Sequence, residues 1–172
     1  GLGQFDIVYS WGVLHHTGNM WQAMNSITPL VRPGGFLFIA LYNDQDFISR
    51  FWFKVKRFYC SSRSGRMIII PVFFSFFAIA GLIADCLRQK SPIRRYTEYR
   101  RSRGMSILHD WIDWFGGYPY ETAKPEEVFD FYVERGFNLT KLVTRQSLGC
   151  NEFVFMQNAG TLSQDKMTLN KF

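Results

Sequence analysis

Short apolar runs alternate with a helical pattern at the start of the chain. Residues 5–10 are mostly apolar, aromatic or β-branched and predict a buried strand of a parallel sheet. Apolar residues then recur at helical spacing over positions 20–31, with Asn19 as the predicted cap. A Pro-Gly-Gly turn at positions 33–35 ends this helix, and residues 36–42 predict a second buried strand. Strand, helix and strand in this order predict a βαβ unit with parallel strands and a right-handed crossover.

The same alternation returns towards the other end of the chain. Residues 124–127, with a proline followed by two acids, predict a helix start, because these residues suit the first turn and the helix dipole. Gly136 stands where that helix would end. Residues 139–144 and 153–156 predict two further strands, and the short link through Gly149 predicts an antiparallel hairpin.

Positions 44–123 follow a different pattern, which is aromatic, basic and helix-compatible. Because the α/β pattern is present on both flanks, we predict one α/β domain over residues 1–172 that is interrupted by a helical insertion at 44–123. We expect the insertion to act as a lid. The predicted sheet has parallel strands followed by a terminal antiparallel hairpin.

Composition narrows the class of protein. A hydrophobic content of 47% with 18% aromatic residues excludes a disordered chain. The formal net charge of +6 comes from two basic clusters, at positions 50–66 and 88–103. Cys60, Cys86 and Cys150 lie far apart, which predicts reduced thiols in a cytoplasmic protein and neither a disulfide framework nor a metal site.

The chain begins at Gly1, and a strand pattern follows almost at once. We therefore expect this sequence to be a piece of a larger domain. The alternative is a complete small domain with a processed amino terminus. No signal-peptide pattern is present at this end.

Two segments carry a resemblance to a known family. Residues 5–16, FDIVYSWGVLHH, resemble the fourth strand and following loop of class I S-adenosylmethionine-dependent methyltransferases. Residues 30–39, LVRPGGFLFI, resemble the start of the fifth strand in that family, and the terminal helix and hairpin are similar to its last elements. Residues 103–121 resemble a subgroup known chiefly as uncharacterised methyltransferases. The resemblance implies the carboxyl-terminal half of a Rossmann-like methyltransferase sheet.

The resemblance also implies a function. S-adenosylmethionine would be the cofactor, and its methyl group would pass to an oxygen, nitrogen or carbon nucleophile on a small or medium-sized acceptor molecule. The family's glycine-rich cofactor loop and its ribose-binding acid have no counterpart in this sequence. We therefore expect this chain to form one wall of the cofactor site and to be inactive in isolation.

The loop after the first strand is the predicted cofactor contact. Open α/β sheets bind ligands at the carboxyl ends of their strands. The resemblance places this loop against the cofactor, and its residues are Ser10, Trp11, Gly12, Val13 and Leu14. The alternative is an ordinary loop that only covers the core.

His15 and His16 are the candidate catalytic residues. A neutral imidazole can accept a proton from a hydroxyl or an amine during methylation. The alternative is that a histidine caps the next helix or bonds the backbone. Methyl transfer needs no base when alignment is sufficient, because the sulfonium is already activated.

A polar and aromatic group near the end of the insertion is the candidate acceptor site. Its side chains can line a pocket, or attract the sulfonium through an aromatic ring. The alternative is hydrogen bonding that holds the lid in place. The group consists of His109, Asp110, Asp113, Tyr118, Tyr120 and Glu121.

Residues 67–84 contain no charged side chain and have basic flanks. Their length only reaches the roughly 18 residues that a membrane span needs. A single span would also place the two halves of one α/β domain on opposite sides of the bilayer. A helix buried in the lid or facing a second subunit is favoured. The alternative is a contact of region 50–103 with a membrane surface, which would make the protein peripheral.

Two other functions remain open. One is a non-catalytic membrane-surface or assembly module on a methyltransferase fold. The other is an RNA methyltransferase, because five arginines between positions 94 and 103 are interleaved with Tyr96 and Tyr99. No known nucleic-acid module surrounds them, so a nucleic-acid partner is not favoured. The sequence does not predict the oligomeric state.

Overall fold

The computed structural model describes residues 2–89, 91–104, 106–146 and 148–159. The chain divides into two compact units. The sheet unit is formed by Gly1–Asp44 and Thr122–Phe172, and the helical unit is formed by Gln45–Glu121. Whether the helical unit acts as a lid stays a prediction.

The sheet unit contains one four-stranded mixed sheet in the order β1-β2-β4-β3. Its first two strands are parallel, with Tyr9 opposite Phe38, and both other pairings are antiparallel. The predicted α/β class, with parallel strands followed by a terminal antiparallel hairpin, is confirmed. The strands are β1 (Phe5–Trp11), β2 (Val31–Tyr42), β3 (Phe137–Val143) and β4 (Cys150–Gln157).

One face of the sheet is covered by two helices, α1 (Met20–Ile27) and α6 (Pro125–Val133). Alternate side chains of β2 and β4 point into this core, as the period of two requires. The cap at Asn19 is confirmed, since its side-chain oxygen accepts from the Gln22 amide at 3.2 Å. The buried cluster consists of Leu14, Met20, Met24, Val31, Leu37, Ile39, Leu41, Ala123, Val128, Tyr132, Phe137, Phe153 and Phe155.

The other face of the sheet corrects one expectation. β1 was predicted to be buried, but Ile7 is 60% exposed and Tyr9 is 64% exposed. β1 is an edge strand, and only Val8 on its inward side packs partly against the core. An apolar run identifies the strand, whereas its burial depends on which elements lie over each face.

The Pro-Gly-Gly segment belongs to β2, which starts five residues earlier than predicted. Its pairing with β1 already begins at Val31, opposite Phe5. Gly35 permits this close approach, because a Cβ there would lie 2.9 Å from the Arg32 carbonyl oxygen and 3.0 Å from that of Asp6. The exposed side chains of Arg32 and Asp6 also form an ion pair.

The described residues of the helical unit form four helices, and the first two make an antiparallel hairpin. Ser62 separates them and caps the second, since its hydroxyl accepts from the Gly65 amide at 2.9 Å. Further along the hairpin, the rings of Trp52 and Phe73 lie 5.6 Å apart. The helices are α2 (Phe47–Ser61), α3 (Arg63–Leu87), α4 (Pro92–Arg103) and α5 (Ile107–Gly116).

The core of the helical unit is aromatic. Phe115 of α5 is fully buried. Its ring lies 5.2 to 6.4 Å from rings of α2 and α3, namely those of Trp52, Tyr59, Phe73 and Phe77. This cluster holds the three helices together.

α3 is mostly exposed, so the prediction that residues 67–84 are buried is wrong, while the alternative that they face a second subunit stays a prediction. Only 6% of its most apolar 18-residue window is buried. One side of α3 packs inward through Ile69 and Phe73, while Ile79 on the other side is 58% exposed. Apolar residues surround the whole helix, so composition alone did not distinguish its packed side from its exposed side.

Candidate active site

The first candidate loop leaves the sheet at the carboxyl ends of β1 and β2. Gly12 follows β1 directly, and its amide donates to the Ala40 carbonyl oxygen at 3.2 Å. Its φ of +74° is a left-handed conformation that glycine adopts without strain. A Cβ at Gly12 would meet no heavy atom within 4 Å. The backbone is therefore open to a ligand at this point.

The side chains of this loop point in two directions. Trp11 is 41% exposed, and its ring stacks on Tyr9 with 5.6 Å between centroids. Val13 is also exposed, whereas Ser10 is half-buried. Leu14 is only 5% exposed and belongs to the core. A ligand could therefore contact the backbone of Leu14 but not its side chain.

The two candidate histidines differ in accessibility. His15 is 1% exposed, and its Nδ1 accepts a hydrogen bond from the Tyr42 amide at 3.3 Å. A ring nitrogen that accepts such a bond carries no proton. His15 therefore connects the loop after β1 to the end of β2, in line with the backbone-bonding alternative. His16 is half-buried, and its ring lies edge-on to those of His15 and Tyr42.

A polar network beside this loop was not foreseen from the sequence. Asn151 is 1% exposed, and its amide group donates to Asn43 at 3.0 Å and accepts from the Arg145 amide at 3.0 Å. Asn43 in turn donates to the Arg145 carbonyl oxygen at 2.8 Å. This network ties the end of β2 to the link between β3 and β4. The sequence did contain a clue, because residues 151, 153 and 155 alternate along the strand and so lie on the same buried face. A polar residue among them indicates a buried hydrogen bond.

The candidate acceptor residues at the start of α5 have local partners. The Ser106 hydroxyl lies 2.7 Å from Nδ1 of the exposed His109 and caps α5 through the His109 amide. The Tyr99 hydroxyl donates to the Asp110 carboxylate. Both contacts lie within the helical unit, so the roles predicted for His109 and Asp110 stay predictions.

The remaining members of that group are divided between surface and interior. Asp113 is exposed and Glu121 is half-buried, while Tyr118 is 38% exposed and lies beside Phe53. Tyr120 is only 3% exposed, so an acceptor has little access to its ring. Of the six predicted residues, three are thus exposed, two are half-buried and Tyr120 is buried.

Tyr120 instead contributes to a buried aromatic cage around Lys56, which sequence reasoning missed. Lys56 is fully buried, and its Nζ lies 3.9 Å from the Trp114 ring centroid and 5.1 Å from that of Tyr120. It also donates to the Trp114 carbonyl oxygen. The available signal was its place on the α2 stripe that contains the buried Trp52 and Tyr59.

The environment of Lys56 changes its protonation. Burial lowers the pKa of Lys56 to about 8, and the nearby Cys60 and Asp113 oppose this shift. Removing an ammonium group from water disfavours its charged form, while the aromatic faces and the carbonyl oxygen stabilise the charge that remains. Lys56 is thus a titratable group inside the helical unit.

The interleaved arginines and tyrosines offer little free aromatic surface in the described part of the chain. Tyr99 is half-buried and bonded to Asp110, and Arg94 pairs with Glu98 at 2.5 Å. The side chains of Arg95, Tyr96 and Arg103 lie outside the described residues. Among the described residues, no three His, Cys, Asp or Glu side chains gather as a metal site requires.

Comparisons with known proteins concern the fold of the chain and its first 39 residues. Residues 2–39, which include β1, its loop and most of β2, match the family described as methyltransferase domain. No curated protein matches the chain. Among solved structures, PKMT2 from Rickettsia typhi aligns with a TM-score of 0.51 and 8% identity over 91% of this chain. The same protein in complex with AdoHcy aligns with a TM-score of 0.50 and 9% identity over 90% of this chain.

These findings first define the class. The sheet order, with its antiparallel last strand pair, and the structural matches define a Rossmann-like methyltransferase fold. Residues 2–39 are similar to a methyltransferase domain, and the whole described chain shares its fold with the solved methyltransferase structures. The chain spans 36% of the length of the solved protein that it matches.

Proposed function

We propose that the full-length protein transfers the methyl group of S-adenosylmethionine to an acceptor molecule. The main support is the empty space beside the backbone of Gly12. This residue directly follows β1 and lies within the segment that matches the methyltransferase domain. A ligand can approach this backbone because no side chain occupies the space above it. The exposed ring of Trp11 supplies an aromatic surface beside the same opening.

The residues of this chain would act by positioning. S-adenosylmethionine supplies a methyl group that is already activated for displacement, so orientation and exclusion of water account for much of the rate. His15 holds the loop to β2 through the Tyr42 amide. His16 is the more accessible histidine and is the candidate for accepting a proton from the nucleophile.

We also propose a small or medium-sized acceptor with an oxygen, nitrogen or carbon nucleophile. The exposed side chains of Asp113 and Tyr118 are the members of the candidate group that such an acceptor would meet. The three free cysteines support a reducing, cytoplasmic location.

A matched pair of substitutions tests the cofactor loop. Gly12→Leu and Gly34→Leu both introduce a side chain at a positive φ with open space around the Cβ, so they impose a similar backbone strain. Only Gly12 lies at the carboxyl end of a strand. In the full-length protein, calorimetry should show at least about a tenfold loss of S-adenosylmethionine affinity for Gly12→Leu and little change for Gly34→Leu. Equal affinities in both variants would remove the loop from the site.

Proton transfer is tested separately at the two histidines. If His16 accepts a proton, His16→Gln should lower kcat while the KM for the cofactor stays unchanged. If alignment alone suffices, kcat will be that of the natural enzyme. His15→Gln should instead weaken cofactor binding, because it releases the loop from β2.

The 172-residue chain on its own should show no saturable S-adenosylmethionine binding by calorimetry, because we propose that it supplies one wall of the site. A dissociation constant in the micromolar range would refute this part of the proposal.

A further inference from the structure

We propose that the helical unit docks on the surface of an anionic phospholipid bilayer through the outward faces of α2 and α3. This inference is independent of the methyl-transfer proposal. It depends on three observations: a continuous exposed apolar face, a concentration of positive charge around it, and the path of the chain into and out of the helical unit.

The apolar face runs along α3. Its outward residues recur at helical spacing, and each is about half exposed or more: Ile68, Val72, Ile79, Leu82 and Ile83. The 25 residues of α3 correspond to a length of about 37 Å. Monomeric soluble proteins rarely expose an apolar surface this extended, and such surfaces usually mark a contact with a partner or a membrane.

α2 adds aromatic and basic side chains to the exposed surface. Phe47, Phe51 and Phe58 are 75%, 45% and 42% exposed and share one stripe of the helix. Arg50 and Lys54 lie on the adjacent stripe and are exposed as well. Aromatic rings that enter the acyl boundary, with cations beside them at the headgroups, are the pattern of helices that lie in a membrane interface.

The charge of this region identifies a lipid surface as the partner. Positions 47–103 contain thirteen lysines or arginines against two acids, and the first of those acids is Asp85. The rest of the chain contains seven against twelve. Arg63, Arg66 and Arg88 place exposed cations at both ends of α3. A second copy of this face would bring cations against cations, whereas lipid phosphates complement them.

The chain path restricts how α3 can meet the bilayer. Among the described residues, α3 is the one helix with the length and composition of a membrane span. However, the segments entering and leaving the helical unit are adjacent, since Asn43 bridges to Ala123 and the Asp44 amide donates to the Ala123 carbonyl oxygen at 3.1 Å. A single crossing would require these neighbours to lie on opposite sides. α3 therefore lies along the surface, where the cations at both of its ends reach the same layer of phosphates.

Vesicle flotation of the full-length protein tests the proposal. The protein should float with mixed phosphatidylcholine–phosphatidylglycerol vesicles at low salt and should dissociate as salt is raised. Ile79→Ser/Ile83→Ser should reduce binding by at least about tenfold, because two apolar side chains no longer enter the acyl boundary. Phe129→Ser/Val133→Ser on α6 is the matched control, with the same spacing and similar exposure, and should bind as the natural protein does.

Charge reversal gives a second arm. Arg50→Glu/Lys54→Glu/Arg57→Glu should lower partitioning on the order of a hundredfold, and Lys141→Glu on β3 should have little effect. No flotation of the natural protein, or flotation that neither set of α2 and α3 variants changes, would overturn the proposal. A lipid-free dimer that Ile79→Ser/Ile83→Ser dissociates, in a protein that does not float, would assign the face to a second copy instead.

A label on natural Cys86 tests the contact without changing the apolar or basic side chains of α2 and α3. Cys86 is exposed and lies on the outward face of α3, so an environment-sensitive dye can be attached after Cys60 and Cys150 are replaced by serine. The dye emission should shift to the blue when anionic vesicles are added and should be quenched by lipids brominated near the headgroup. An unchanged spectrum in a vesicle-bound protein would exclude α3 from the contact.

Discussion

The sheet unit and the helical unit bury their apolar residues in different ways. In the sheet unit, apolar side chains alternate, so that Ile39 and Phe153 are buried beneath α1 and α6. In the helical unit, apolar side chains surround α3, and only the side towards α2 and α5 is packed. A periodic pattern therefore identifies the face that will be buried, while an unbroken apolar run leaves that choice to the neighbouring elements.

The units also differ in charge. Most of the basic residues belong to the helical unit, which has 13 lysines or arginines against 6 acids, whereas the sheet unit is nearly balanced with 7 against 8. Our proposals assign the cofactor loop to the sheet unit and surface attachment to the helical unit.

The largest expected effect comes from emptying each core. Phe115→Ala in the helical unit and Phe153→Ala in the sheet unit each remove a buried ring and should cost about 3–5 kcal/mol of stability. Hydrogen exchange followed by mass spectrometry should show lost protection mainly in the unit that carries the substitution. Equal loss of protection in both units from either variant would show a single cooperative structure.

At alkaline pH, the free energy of unfolding should rise in the helical unit and fall in the sheet unit. The pKa of Lys56 is about 8 in the folded chain and 10.5 when unfolded, so the unfolded state binds more protons between these values. The free energy of unfolding of the helical unit should therefore rise across this window, by up to about 3 kcal/mol. Burial raises the pKa of Cys150 from 9.0 to about 11, so the stability of the sheet unit should fall as its unfolded thiol ionises.

Tryptophan fluorescence can follow each unit in urea titrations. Trp11→Phe/Trp21→Phe leaves the three reporters of the helical unit, namely Trp52, Trp111 and Trp114. In the Lys56→Met variant, the free energy of unfolding of the helical unit should no longer rise between pH 8 and 10.5. In the Cys150→Ala variant, the free energy of unfolding of the sheet unit should fall less at alkaline pH. A helical unit whose stability does not rise between pH 8 and 10.5 would contradict the shifted pKa of Lys56.

Two glycine-to-alanine substitutions should have smaller effects on stability, one through close packing and the other through backbone strain. Gly65→Ala would place a methyl group against the Phe58 carbonyl of α2 and should cost about 1–3 kcal/mol by pushing the hairpin apart. In Gly136→Ala, the added methyl group would contact no neighbouring atom. Only the strain of a φ of +78° would lower the stability, by about 1–2 kcal/mol. Thermal denaturation should show the larger loss for Gly65→Ala. The reverse order would mean that α2 and α3 separate without strain.

The smallest expected effect compares helix caps. Ser62→Ala and Asn19→Ala each remove a side-chain acceptor from a helix start and should cost about 1 kcal/mol. Ser62→Ala should weaken vesicle binding more than it lowers catalytic activity. Asn19→Ala should lower stability and change neither vesicle binding nor activity. Flotation and stability measurements on both variants provide the check, and equal vesicle binding by Ser62→Ala and the natural protein would show that this cap does not orient α3.

Much of the fold followed from sequence periodicity. The strands, the Asn19 cap and the proline start of α6 were predicted because each depends on residues close in the chain. The amide of Lys124 indeed donates to the Glu127 carboxylate at 2.8 Å. The extension of β2 to Val31 was missed, because its partner Phe5 is distant in sequence.

The candidate site was predictable in part. The loop from Ser10 to Leu14 was located by its position after β1, and its role stays a prediction. The cage around Lys56 was missed, since a basic residue on a helix is ordinarily exposed. The Asn43–Asn151 contact joins residues 108 positions apart, which local patterns do not reveal.

The sequence by itself determined the order of strands and helices, the family resemblance and the unequal distribution of charge, because these depend on local pattern and composition. Only the tertiary structure decided which faces are exposed, how Lys56 is enclosed, and that the two ends of the helical unit are adjacent. Burial and proximity depend on contacts between distant segments, so the same apolar residues can form a core in one unit and an open surface in the other.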